Sequence, residues 1–190
     1  MAAPKPTEAK TDAKSLRALL GQARGRLNVA QYQETVKNAL FCVELSNVNA
    51  DFITYFYNRE RKGVDYRWCC YTNWAKESPV NDRWKSIYDV TVTPQASNSV
   101  CQLTIHCLPD RPIMLHLKKS GAVVPKVILS NKECTLYKVY VEIDSSAPLP
   151  RITGVWIIGT HKGQLVQEQV QITDKMLERF SPQNFLSLGF

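Results

Sequence analysis

The chain has 190 residues, 44% of them apolar and 22% charged, the balance of a globular domain with a core of its own, so disorder throughout is excluded. Lys and Arg exceed Asp and Glu by 7, which favours an anionic partner; the first 40 residues hold seven basic and three acidic side chains and so carry most of the excess. No apolar run approaches the roughly 18–20 residues that span a bilayer, and Met1-Ala2-Ala3-Pro4-Lys5 leads into charge rather than into a signal-peptide core, so a cytoplasm-like compartment is expected.

Residues 1–13 mix Pro, Lys, Thr and acid with nothing apolar larger than Ala, and a disordered tail is predicted there. From Lys14, the apolar Leu16, Leu20, Ala23 and Leu27 recur at helical spacing while Lys14, Arg17 and Arg24 take another face. Asn28 with Gln31 forms a capping pattern, and Val29, Tyr32, Val36, Leu40 and Val43 repeat at steps of three and four, which predicts a second helix over 29–43. Together they make a basic amphipathic arm over 14–45.

After Asn47 the period drops to two. The aromatic runs 52–57 and 64–71 flank the charged turn Asn58-Arg59-Glu60-Arg61-Lys62-Gly63, the pattern of a hairpin with a basic tip. Alternating runs at about 85–93, 99–107, 112–118, 123–129 and 134–143 follow, punctuated by Pro and Gly. In the last of these, Thr135, Tyr137, Val139, Val141 and Ile143 are expected to face the core, with Lys138 and Glu142 on the solvent side. A second hairpin joins 152–160 to 164–172 across His161-Lys162-Gly163, and Thr173 caps a short helix that ends before Pro182. The fold class expected is α+β, mainly β: an antiparallel sandwich or twisted sheet over 46–180, with helices ahead of it and a short one behind.

The sequence carries no G-x-S-x-G, H-E-x-x-H or P-loop pattern, and His106, His116 and His161 lie on strands or in a turn, so neither a catalytic residue nor an enzyme is expected. Cys42, Cys69, Cys70, Cys101, Cys107 and Cys134 lack paired zinc-ligand spacing and a secretory context; reduced thiols, no metal and no cofactor are expected. The candidate contacts to nucleic acid or an acidic surface are Lys10, Lys14, Arg17, Arg24 and Arg26 on the arm and Arg59, Arg61, Lys62 and Arg67 on the hairpin, where Tyr55, Tyr57, Tyr66 and Trp68 interleave. Lys118, Lys119 and Lys126 extend the patch, and the hairpin reads equally as a solvated tip over core aromatics. Residues 181–190 carry Phe185, Leu186, Leu188 and Phe190, too few for a core of their own; they pack in cis or serve self-association.

A basic arm ahead of a compact β-rich body, without a catalytic signature, resembles small virus structural proteins, and the helix-then-sheet order is similar to that of plant rhabdovirus matrix proteins. The resemblance implies a self-associating homo-oligomer that binds viral nucleoprotein or RNA, and an anionic membrane surface as well, with no small-molecule substrate. It places the protein in the virion and host cytoplasm, with the host nucleus or peripheral membrane as further sites. A coat protein with a jelly-roll body, a silencing suppressor or a movement protein is the alternative, each binding RNA directly.

Overall fold

The computed structural model describes residues 12–47, 51–146, 148 and 151–179. Lys10, and Phe185, Leu186, Leu188 and Phe190 of the C-terminal segment, therefore lie outside the described residues. Helix α1 (Ala13–Leu20) starts where the Asp12 carboxylate accepts the Ser15 N–H at 2.9 Å, and α2 (Val29–Thr35) starts where the Asn28 side chain accepts the Gln31 N–H. The Asn28 amide also donates to the Arg17 carbonyl at 2.9 Å, tying the second cap to the first helix.

Among the described residues eleven strands form one curled sheet: β1 (Ala39–Leu45), β2 (Asp51–Asn58), β3 (Gly63–Cys70), β4 (Glu77–Pro79), β5 (Val90–Pro94), β6 (Val100–Ile105), β7 (Ile113–Leu117), β8 (Val123–Leu129), β9 (Lys132–Asp144), β10 (Arg151–His161) and β11 (Gln164–Gln169). Helix α3 (Asp82–Tyr88) precedes β5 and α4 (Asp174–Arg179) follows β11, with the Met176 N–H donated to the Thr173 hydroxyl. The architecture is mainly β with a few short helices.

The long strand β9 organises the sheet. One of its edges pairs with β10 along most of its length; the other pairs antiparallel with β8 through 132–135 and then parallel with β1 through 138–141. Two arms leave that edge, β1-β2-β3-β4 and β8-β7-β6-β5, and their facing sides enclose one core in which Phe41, Val43, Ile53 and Tyr55 of the first meet Leu103, Ile105, Leu115 and Val127 of the second. Tyr55 is wholly buried and donates its hydroxyl to the Tyr88 carbonyl at 2.8 Å, fixing α3 against β2.

Several expectations are corrected. The amphipathic helix expected from Lys14 through Leu27 stops at Leu20; residues 21–26 are turns and bends, with Gly25 at φ 80°. The helix expected over 29–43 stops at Thr35, and Ala39–Leu45 is a strand. Leu40 to Val43 are buried on both sides of the sheet, and a continuous apolar run of that kind satisfies helical spacing and strand burial alike. The run expected as strand from residue 85 opens as α3, capped by Asn81, whose side chain accepts the Trp84 N–H.

Lys138 is only 1% exposed instead of facing solvent. A register shift in the β9–β10 pairing, at Ile158/Gly159, reverses the pleat, so Cys134 and Leu136, and not the expected Thr135 and Tyr137, point into the same core as Val139, Val141 and Ile143, and Tyr137 packs on the outer face. Lys138 lies opposite Val139, on the outer face where alternation expects it, but the arm covers that face: Leu20, Ala23 and Ala30 pack with Ile158, and Leu27, Val29 and Tyr32 with Cys42, Phe52, Phe56 and Cys69. The apolar stripe of the arm is thus part of the fold, each fully buried Leu or Val contributing about 1.5–3 kcal/mol.

Candidate anion-binding cleft

The hairpin tips of the two arms meet at one end of the sheet. The β2–β3 turn places Lys62 in the left-handed region (φ 49°) ahead of Gly63, and the β7–β8 turn places Gly121 at φ +83°. Arg59 donates a guanidinium N–H to the Gly121 carbonyl, and a side chain on Gly121 would put its Cβ 2.9 Å from Arg59 Nη2. The glycine is favoured by its φ, and a side chain there would push the Arg59 guanidinium aside. The contact joins the tips of the two arms.

Beside it opens a cleft of about 590 Å³ between β2–β3 and the β5–β8 arm. Arg59, Lys62 and Lys118 line it together with Tyr57, Asn98 and Cys101, and no Asp or Glu belongs to its lining. Among the described residues none of the three cations has an ion-pair partner, so their combined field is uncompensated within the cleft. Burial pushes the Tyr57 phenol above its usual range, more than Arg59 lowers it, so the hydroxyl keeps its proton as a donor beside those cations.

The other basic residues picked out in the sequence are elsewhere. Arg61 pairs with Asp65 and Arg67 with Glu77; Arg67 also lies 5.2 Å from the Phe56 ring centroid. A hydrogen bond from the Asn58 amide, reinforced by Arg61, holds the Asp65 carboxyl below its usual range. Arg17 pairs with Glu34, Lys14 is exposed on α1, and Lys126 reaches the Thr135 hydroxyl at 3.1 Å. Tyr55, Tyr66 and Trp68 are packed on the core, so of the interleaved aromatics only Tyr57 lines the cleft. The hairpin is therefore divided between a cationic side and a neutralised one.

Arg24 and Arg26 join none of these. Arg24 lies over the Trp156 ring at 3.6 Å and Arg26 over the Tyr71 ring at 3.9 Å, on the outer face of the sheet. Between them runs a buried ion pair absent from the sequence-based expectations: Lys138 Nζ donates to Glu44 Oε2 at 2.7 Å and to the Leu27 carbonyl at 3.0 Å, while Glu44 Oε1 accepts the Arg26 N–H at 2.8 Å. The available signal was a single charge inside each of two apolar strands, Glu44 in Ala39–Leu45 and Lys138 in Leu136–Val141.

Cys42, Cys69, Cys70, Cys101, Cys107 and Cys134 are free thiols, and burial pushes Cys107 up to about 12. Among the described residues no three His, Cys, Asp or Glu side chains gather as a metal cluster, and no helix is long and apolar enough to cross a membrane.

Fold and cleft together define a mainly β domain whose two arms open at their tips onto a cationic cleft. The chain belongs to the DUF4833 family, a domain of unknown function, whose pattern it matches over residues 41–169. No curated protein and no solved structure matches it.

Proposed function

We propose that the protein is a non-enzymatic interaction protein that binds RNA, free or within ribonucleoprotein, through the cleft between its hairpin tips. One observation carries the reading: Arg59, Lys62 and Lys118 converge on a concave surface whose lining has no carboxylate. Phosphate oxygens need guanidinium or ammonium donors on a common surface, and a guanidinium can engage one bidentately. A concave cleft follows a single phosphodiester strand, whereas a flat lipid surface is met by a convex or planar patch. The lining supplies cations, a phenol and a thiol, with no carboxylate or imidazole among its residues to move a proton.

In this reading the two arms are the two layers of a sandwich, closed along β9 and open at the tips. The matrix-type and coat-type readings share the RNA-binding step and part at self-association, which sedimentation of the full chain decides. The test is fluorescence anisotropy of a labelled single-stranded RNA with wild type and the R59Q/K62Q/K118Q variant, beside flotation on phosphatidylserine vesicles. At least a tenfold loss of RNA affinity in the variant is expected. Unchanged RNA affinity overturns the assignment, and loss of flotation alone moves the partner to the membrane.

A further inference from the structure

The segment 24–27, Arg-Gly-Arg-Leu, lies on the sheet in the manner of a bound peptide. Each guanidinium rests on an aromatic ring, Arg24 on Trp156 and Arg26 on Tyr71. Its backbone is read by side chains of the domain, not by strand pairing. Gln167 accepts the Arg24 N–H at 2.9 Å, Glu44 accepts those of Arg26 and Leu27, and Lys138 donates to the Leu27 carbonyl. Gly25 sits at φ +80°, where a Cβ would fall 2.2 Å from Glu44 Oε2. Residues 24–27 thus meet this face with two ring-stacked guanidiniums, a glycine that leaves no room for a Cβ, and Leu27, buried beside Tyr32 and Phe52.

Two further facts separate recognition from packing. The charge–charge attraction of a buried Lys–Glu pair often adds little net stability over apolar residues of similar volume, so the ion pair by itself is weak grounds for two charges at the floor of this groove. Both charges are used to hold a peptide backbone. All the groove residues, Glu44, Tyr71, Lys138, Trp156 and Gln167, fall inside the family match of 41–169, and the segment that fills the groove lies ahead of it.

We propose that this outer face is a receptor for arginine–glycine peptides, occupied here in cis by residues 24–27, and that its trans ligand is an Arg-Gly-Arg-apolar segment of another protein. The site is separate from the cationic cleft, so its failure and the failure of RNA binding are distinguishable. Because a cis ligand lowers the fraction of competent receptor, apparent affinity for a free peptide falls by that fraction.

The test uses the full chain and a fluorescein-labelled peptide, Ala-Arg-Gly-Arg-Leu-Asn-Val, titrated by anisotropy against wild type and the R24S/R26S variant, whose own segment has lost both ring contacts. The expected result is binding at least tenfold tighter to R24S/R26S than to wild type, with at least a tenfold loss when the peptide glycine is replaced by alanine. Adding Trp156→Leu to R24S/R26S weakens binding again. The glycine and alanine peptides are compared on the same protein, so that contrast does not depend on how a variant folds. Equal binding of the two peptides, or no gain in R24S/R26S, overturns the proposal.

Discussion

Removing the ammonium of Lys138 tests how the arm is held. Lys138→Met keeps the volume of the side chain and deletes a charge that is 1% exposed, leaving Glu44, 2% exposed, without its cation and the Leu27 carbonyl without its donor. Breaking a buried pair from one side costs about 3–5 kcal/mol, because the remaining charge stays desolvated. At roughly 2–4 °C per kcal/mol for a chain of this size, the melting temperature falls by about 6–20 °C. The E44L/K138M double variant removes both charges, so no desolvated charge is left, and its cost reduces to the backbone groups left unpaired, the Arg26 and Leu27 N–H and the Leu27 carbonyl, of which Arg26 is exposed and can turn to water. Urea titration of wild type, both single variants and the double variant gives a complete cycle. The double variant is expected to be more stable than K138M. A cost under about 1 kcal/mol for K138M, or a double variant as unstable as the sum of the singles, would refute the reasoning.

Gly25→Ala forces a Cβ into the Glu44 carboxylate at a positive φ and is expected to destabilise by about 1–3 kcal/mol, read by thermal melting. Gly121→Ala strains a position at φ +83° and pushes the exposed Arg59 guanidinium aside; it should cost about 1–2 kcal/mol, chiefly from the backbone, and weaken RNA binding because Arg59 is displaced. For the Glu168 carboxyl, burial alone would raise the pKa, but the Ser130 N–H and Arg111 outweigh it and hold it below its usual 4.5. The stabilisation is therefore present above the unfolded-state value and lost as pH falls through the lower folded-state value. Urea midpoints from pH 7 to pH 3 should show E168Q less stable than wild type at neutral pH, with the gap closing in acid.

The strands from Val100 to Gln169 were legible because turn residues such as Pro112, Gly121, Asn131 and Gly163 punctuate short β-prone runs. Where the sheet is covered on both sides that signal vanishes. Leu40 to Val43 are apolar in succession, and β1 therefore read as the continuation of a helix. Lys138 failed for a different reason: it does lie on the face opposite Val139 and Val141, as alternation predicts, but the arm covers that face, and no local pattern tells a covered outer face from a solvated one. In the candidate cleft, the hairpin tip was visible from its charge. Which of its cations remain unpaired was not, because Asp65 folds back onto Arg61 within the hairpin, Glu77 reaches Arg67 from the neighbouring strand, and Lys118 arrives from a turn some sixty residues away.

The most direct test of the central claim is the salt dependence of RNA binding by wild type and R59Q/K62Q/K118Q. Each phosphate contact on a single strand adds about −0.7 to the slope of log affinity against log salt. Three lost contacts should make the variant's slope shallower by about 2. Parallel lines for the two proteins would place the phosphate contacts elsewhere and contradict the account.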